Sequence, residues 1–382
     1  MRTRFLTRCA LLCASFGLLG GLSVHAAPPA ARLPGPHVLD LDRYLHGYDA
    51  GVYGLLDRNT LLTSRAPSAG APSIDLWDVR TGKIRASIWP PTPVSAGSLG
   101  VSPDGRTLVG IQGIASYLPH PVFNTHLLYV WDLGRKKLVR TIDFGQDARV
   151  FEWCFLPGRK PQIVVTEDPV SGPANFPRFL ILDYLTGRPV RAVRDRDATN
   201  TSLSQRLFSP DGGTFFSVWS AGEGDLGGGF RVFSARSFRR LYALNGTPGK
   251  SVIDSPASFV SAHTVLMGSL LYDTRTRRFR PALPGHRPDD IECLCAVPGT
   301  LRRYLFSVQV GKAAPTLELW DVAAGRCLRR WRLPSSDQEA FAARDGRAFG
   351  LMGNDQKMRV YDCDLNAPPV RHRQPGLGRF HG

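Results

Sequence analysis

Lysine is scarce in this chain: 7 Lys stand beside 41 Arg among 382 residues. A skew of that kind follows from a GC-rich coding sequence without selection for binding, so the formal net charge of +16 is poor evidence for a polyanionic partner. Aromatics interleave the Arg clusters only singly, as at Phe279 and Trp331, too sparsely for a base-stacking platform, which argues against nucleic acid. Beyond the first residues there is no apolar stretch long enough to cross a bilayer, and no segment keeps a helical apolar period over three or four turns. Linear signatures of common chemistry are missing too: there is no H-E-x-x-H, G-x-S-x-G, C-x-x-C-H or phosphate loop. Gly249-Lys250-Ser251 ends like a phosphate loop, but Leu244 stands where its first glycine belongs. Cysteine is sparse and irregular. After Cys9 and Cys13 come Cys154, Cys293, Cys295, Cys327 and Cys363, an odd set that describes no disulfide framework and reads as small buried hydrophobes with at most one bridge. Cys293 and Cys295, two apart in a strand, are expected to share a face without bonding to each other.

What is present begins with a leader. Residues 1–26 carry Arg2, Arg4 and Arg8, then an apolar stretch from Cys9 to Leu22, then Val24-His25-Ala26. This is the pattern of a cleaved secretory signal peptide, so the mature protein is expected in the periplasm or secreted. Cleavage removes three arginines and no acids, lowering the charge from +16 to +13. Residues 27–36 read as a Pro/Ala-rich linker, 37–366 as the folded domain, and 367–382 as a basic Pro/Gly-rich tail.

Between those ends the chain repeats. Trp77-Asp78, Trp131-Asp132, Trp320-Asp321 and Tyr361-Asp362 each close a short apolar run, and Leu182-Asp183, Phe233-Ser234 and Tyr272-Asp273 fill the intervals. Turn clusters run in step with them: Asp57-Arg58-Asn59, Ser102-Pro103-Asp104-Gly105, Pro157-Gly158, Ser209-Pro210-Asp211-Gly212, Ser261-Ala262-His263, Pro298-Gly299 and Arg344-Asp345-Gly346. Such residues favour tight reversals, because Pro presets φ, Asp bonds its own backbone and Gly tolerates positive φ. A further turn and strand follow each marker, as at Arg80-Thr81-Gly82. Four strands repeated seven times predict an all-β fold, a seven-bladed β-propeller of four-stranded antiparallel blades. Val38 to Leu41 are placed to supply the outer strand that the seventh unit lacks.

Ser73-Ile74-Asp75-Leu76-Trp77-Asp78-Val79-Arg80-Thr81-Gly82-Lys83 and Gly353-Asn354-Asp355-Gln356-Lys357-Met358-Arg359-Val360-Tyr361-Asp362 resemble the third strand and flanking turns of tryptophan-aspartate (WD) repeats. Gly285-His286 matches that family's Gly-His position, and the two Ser-Pro-Asp-Gly turns are similar to exported bacterial propellers of the YVTN type. The resemblance implies a buried Asp-His-Ser/Thr-Trp hydrogen-bond network that most of these blades cannot complete.

The basic residues fall mainly on the fourth strands and the turns before them, which hold 20 of the 45 Lys and Arg left after cleavage. Those strands form the outer rim, where charge blocks edge-to-edge sheet pairing. Long connections between second and third strands mark the candidate site. One carries Tyr117, His120 and Phe123, the next Glu167, Asp168 and Phe176, the third Asp225. The aromatics are candidate partner contacts and the His and acids candidate polar contacts; His120, His126, Glu167 and Asp168 have no spacing enforced by regular structure, and no metal or cofactor is assigned. The expected function is a monomeric, non-catalytic module that binds another protein or an anionic envelope polymer through this face. The alternative is a periplasmic propeller enzyme, lactonase-like or dehydrogenase-like, with a site in the central funnel.

Overall fold

The computed structural model describes residues 28–45, 49–66, 71–94, 98–113, 125–158, 160–169, 178–194, 202–220, 229–245, 257–333 and 338–368. β1 (His37–Asp40) and one helical turn, α1 (Asp42–Leu45), precede the first complete blade. That blade is β2 (Asp49–Asp57), β3 (Thr60–Ala66), β4 (Ser73–Asp78) and β5 (Lys83–Ile88). Blades 2 to 6 follow as β6–β9 (100–143), β10–β13 (148–194), β14–β17 (202–245), β18–β21 (257–281) and β22–β25 (291–332), each a four-stranded antiparallel sheet in simple sequential order. The seventh contains β26 (Gln338–Ala342), β27 (Ala348–Gly353) and β28 (Lys357–Asp362), and β1 completes it in the order β1-β28-β27-β26. The expected seven-bladed propeller is therefore what the chain forms.

Burial explains the sequence pattern. Third strands such as β8 (Leu127–Asp132) and β12 (Arg178–Asp183) are packed on both faces by neighbouring blades, so they read as near-continuous apolar runs and not as alternations. Fourth strands lie at the outer edge; β9 (Lys137–Asp143) is exposed at nearly every residue. Core clusters lie between blades. Val109, Ile111 and Val130 of blade 2, for example, pack with Ile163, Val165 and Leu180 of blade 3. Gly100 is required at one such contact, since a Cβ there would stand 2.3 Å from the Trp153 ring.

Closure uses both ends of the domain. His37 to Asp40 pair antiparallel with Val360 to Lys357. Ahead of β1, Ala31 bridges Trp331 of β25 (Arg326–Arg332) in parallel, donating its N–H to Arg330 O and receiving one from Arg332. Leu33 packs into the cluster between blades 6 and 7. Residues 28–36, expected as a linker, thus lie against the outer edge of blade 6.

Cys293 and Cys295 do not share the face that their spacing predicts. A β-bulge between Cys293 and Cys295 in β22 (Ile291–Ala296) turns them to opposite faces. Cys293 enters the core shared with blade 5 and Cys295 the core shared with blade 7. All five described cysteines are free, and burial pushes the Cys295 and Cys327 thiols up to about 12, which makes them poor nucleophiles.

Candidate functional site

In blades 1, 2, 3, 5 and 6 the Asp that ends the third strand folds its carboxylate back into the following turn. Asp78 Oδ1 accepts from the N–H groups of Arg80 and Thr81, Asp132 from Arg135, Asp183 from Thr186, Asp273 from Arg275 and Thr276, and Asp321 from Ala324. These bonds hold the Asp78 and Asp273 carboxyls below the usual range. Four residues after each marker the backbone enters the left-handed region, at Gly82, Lys136, Gly187, Phe238, Arg277 and Gly325. In blade 7 Asp362 instead lies 3.5 Å from His37 of β1, and Tyr361 stacks on Phe349. Asp355 caps the β27–β28 hairpin and pairs with Arg359, which brings its carboxyl down to about 2.

The Trp residues split into two kinds. Trp77 Nε1 donates to Thr63 Oγ1 at 2.9 Å, Thr63 to Tyr44 Oη at 3.0 Å, and Tyr44 to Asp75 Oδ2 at 2.6 Å, with Ser73 also donating to that oxygen. Burial, with the Asp75 carboxylate beside it, pushes the Tyr44 phenol well above its ordinary value. Trp320 Nε1 donates to Glu318 Oε2 at 2.7 Å. Glu318 is fully buried and also receives Thr316 Oγ1. Arg330 Nε sits 2.7 Å from Oε1 as an ion pair off the N–H axis, and His286 Nε2 lies 3.6 Å from Oε2. Trp131 differs: it is 0 % exposed, and its indole N–H has no partner among the described residues. The acids Asp75 and Glu318 carry the two networks, and neither is a sequence-assigned repeat residue. Their signal was available as S/T-x-D/E-x-W-D, which places the hydroxyl, acid and indole on one side of the strand.

Outer-strand cations are partly used up in joining blades. Arg140 Nε donates to Leu185 O in the next blade's turn, Arg191 to Arg236 O and Ser237 O, and Arg329 to Cys363 Sγ. Tyr242 Oη does the same for Thr274 O. A donor on the fourth strand thus satisfies a carbonyl or sulfur beyond the next blade's third strand, a role for Arg in addition to edge protection.

Two faces remain as candidate surfaces. Connections from second to third strands and from blade to blade emerge on one of them. Tyr117, His120, Phe123, Phe176 and Asp225 belong to those connections and lie outside the described residues. Glu167, at the end of β11 (Gln162–Pro169), is buried and committed: Arg178 Nε donates to its Oε2 at 2.8 Å and Arg178 NH2 to its Oε1. It closes the base of the blade 3 connection and is not a free polar contact. Asp168 stands opposite Arg149 in the β10–β11 register. Among the described residues no group of three or more His, Cys, Asp and Glu is placed to hold a metal.

First-to-second and third-to-fourth strand turns form the other face. The two Ser-Pro-Asp-Gly turns are alike: Ser102 and Ser209 each donate to the Asp two residues on and accept from Thr107 and Thr214 N–H. At the axis these inner turns enclose a bowl of about 220 Å³ lined by Pro103, Leu156, Pro157, Phe208, Pro210 and Leu301 among others. Arg344, from the inner turn of blade 7, reaches past blade 1 to the carbonyls of Val101, Ser102 and Pro103 and staples one side of the rim.

Comparison with known proteins matches no protein-family model and no curated protein. Solved structures do match. A chain of the Kuenenia stuttgartiensis hydrazine synthase is 14% identical with a TM-score of 0.55, covering 91% of this chain and 100% of that one. A chain of a mitotic checkpoint complex is also 14% identical with a TM-score of 0.54, covering 95% and 99%. At that identity the likeness establishes one thing, that this chain is a seven-bladed β-propeller.

Proposed function

We propose that this chain is an exported, non-catalytic binding module that holds another protein, or an anionic envelope polymer, against the face where its long connections emerge. The observation that carries the reading is how chain length is distributed. Residues 114–124, 170–177 and 221–228 all fall between second and third strands, in three consecutive blades. Between second and third strands blades 2 to 4 carry 15, 8 and 8 residues, blades 1 and 6 carry 6 and 7, and blades 5 and 7 carry 2 and 3, so the three longest connections stand side by side on one face. Chain added to a rigid scaffold at one place is where binding residues concentrate. The buried Glu167–Arg178 pair supports the reading, because it fixes the point from which the blade 3 connection leaves the sheet. The likeness to a chain of a mitotic checkpoint complex makes a protein the first class of partner to test. Export rests on the leader in residues 1–26, which lie outside the described residues.

The test is crosslinking capture from cell envelope with the tagged protein, beside a Tyr117→Ala/Phe123→Ala/Phe176→Ala variant. A specific species captured by the parent and lost in the variant is the expected outcome. Equal capture by both would remove the loop face from the account, and capture by neither would move weight to a catalytic funnel.

A further inference from the structure

The face opposite the long connections is sorted by radius. At the axis it carries apolar tips: Pro103, Pro157 and Pro210 on the inner turns of blades 2, 3 and 4, and Leu301, 50% exposed, on that of blade 6, with exposed Asp104 and Asp211 next to two of the prolines. Farther out it is basic. The third-to-fourth strand turns of blades 1 to 5 each carry an exposed Arg or Lys, among them Arg80, Lys136, Arg188, Arg236 and Arg275, and in blade 6 exposed Arg326 opens the fourth strand just after the turn. The acids on the same turns, Asp78, Asp132, Asp183, Asp273 and Asp321, each accept main-chain N–H groups within the turn, which spreads part of their charge into the backbone. A second exposed leucine, Leu185 at 44%, stands within the basic ring.

An apolar centre inside a ring of cations matches an anionic bilayer. Headgroup phosphates attract the ring, and the interfacial region takes up small apolar groups that water disfavours. A soluble polyanion would use the ring and gain nothing from the prolines and leucines. No helix among the described residues is long and apolar enough to cross a membrane. We infer that this turn face seats the propeller on an anionic lipid surface, with Leu301 and the axial prolines among the headgroups and the outer-turn cations on their phosphates. The long connections then point away from the bilayer. The inference does not depend on what those connections bind.

Sedimentation of the purified protein with phosphatidylcholine vesicles, with and without phosphatidylglycerol, tests it. The expected result is binding only when phosphatidylglycerol is present, weakened by salt. Arg236→Glu/Arg239→Glu/Arg275→Glu should lower partitioning by at least about a hundredfold, at about fivefold per basic residue. Leu185→Ser/Leu301→Ser should lower it at least about tenfold. These positions are exposed, and melts matching the parent will show that the variants are folded. The Tyr117→Ala/Phe123→Ala/Phe176→Ala variant should bind as the parent does. Absence of binding to phosphatidylglycerol vesicles overturns the inference. So does loss confined to the loop-face variant, and so does binding that survives the leucine changes and is fully displaced by polyphosphate, which would identify a soluble polyanion.

Discussion

Blades 1 and 6 solve a packing problem that blade 2 leaves half solved. All three bury a third-strand Trp. In blades 1 and 6 its indole N–H feeds a network ending on Asp75 or Glu318, whereas in blade 2 Tyr129 occupies the acid's position and bonds Thr92, leaving Trp131 Nε1 unpaired among the described residues. Blades 3 to 5 dispense with the indole: Leu182, Phe233 and Tyr272 take its place. Between blades 3 and 4 the compensation is aromatic, with Phe179, Phe208, Phe215, Phe233 and Phe238 in one cluster. Such ring pairs contribute about 0.5–1.5 kcal/mol each beyond the area they bury. Filled volume and the shared turn geometry are common to the ring, and the polar network is a local device that shape can replace.

The largest effect expected from breaking this arrangement is at Glu318. Glu318→Ala strands Arg330 beside a buried hole and should cost about 3–5 kcal/mol in urea unfolding; a loss below about 1 kcal/mol would mean that the network is dispensable in blade 6 as well. Tyr44→Phe comes next. It removes the hydroxyl linking Thr63 to Asp75 and should cost about 1–3 kcal/mol, because the buried carboxylate loses a donor. The smallest effect is a gain. Lys136 adopts φ 55°, where glycine stands in blades 1, 3 and 6, so Lys136→Gly should stabilise by about 0.5 kcal/mol once the extra freedom of the unfolded chain is subtracted.

Acid should act on both kinds of blade alike. The carboxyls of Asp78, Asp104, Asp211 and Asp273 are all lowered by hydrogen bonds within their turns, and they lie in blades 1, 2, 4 and 5. A carboxyl with a depressed folded pKa contributes stability that is complete above its unfolded value, about 3.9, and is lost as pH falls through the folded value. Stability should therefore decline below about pH 4, and Asp78→Ala should flatten that decline; an unchanged slope would show that these turn bonds do not couple to folding.

Much of this was legible in the sequence, for physical reasons. Markers such as Trp77-Asp78 and Ser102-Pro103-Asp104-Gly105 are local, since each turn is stabilised by its own residues. Ring closure by β1 could be read because the seventh unit ran out of strands. The bulge that separates Cys293 from Cys295 was hidden, because an extra residue in an inner strand is set by the blades on either side. Glu167 looked like a loop acid, and only the cross-strand register revealed Arg178 as its partner. The axial bowl was invisible for the same reason: it assembles from inner turns of blades 2 to 6, scattered between Pro103 and Leu301.

The most direct test is a paired comparison of Trp77→Phe and Trp131→Phe by urea unfolding. Both changes remove the same atoms from buried sites, but the first breaks a chain of hydrogen bonds and the second deletes an N–H without a partner. Trp77→Phe is expected to cost about 1–2 kcal/mol more than Trp131→Phe. Equal losses, or a larger loss at Trp131, would contradict it.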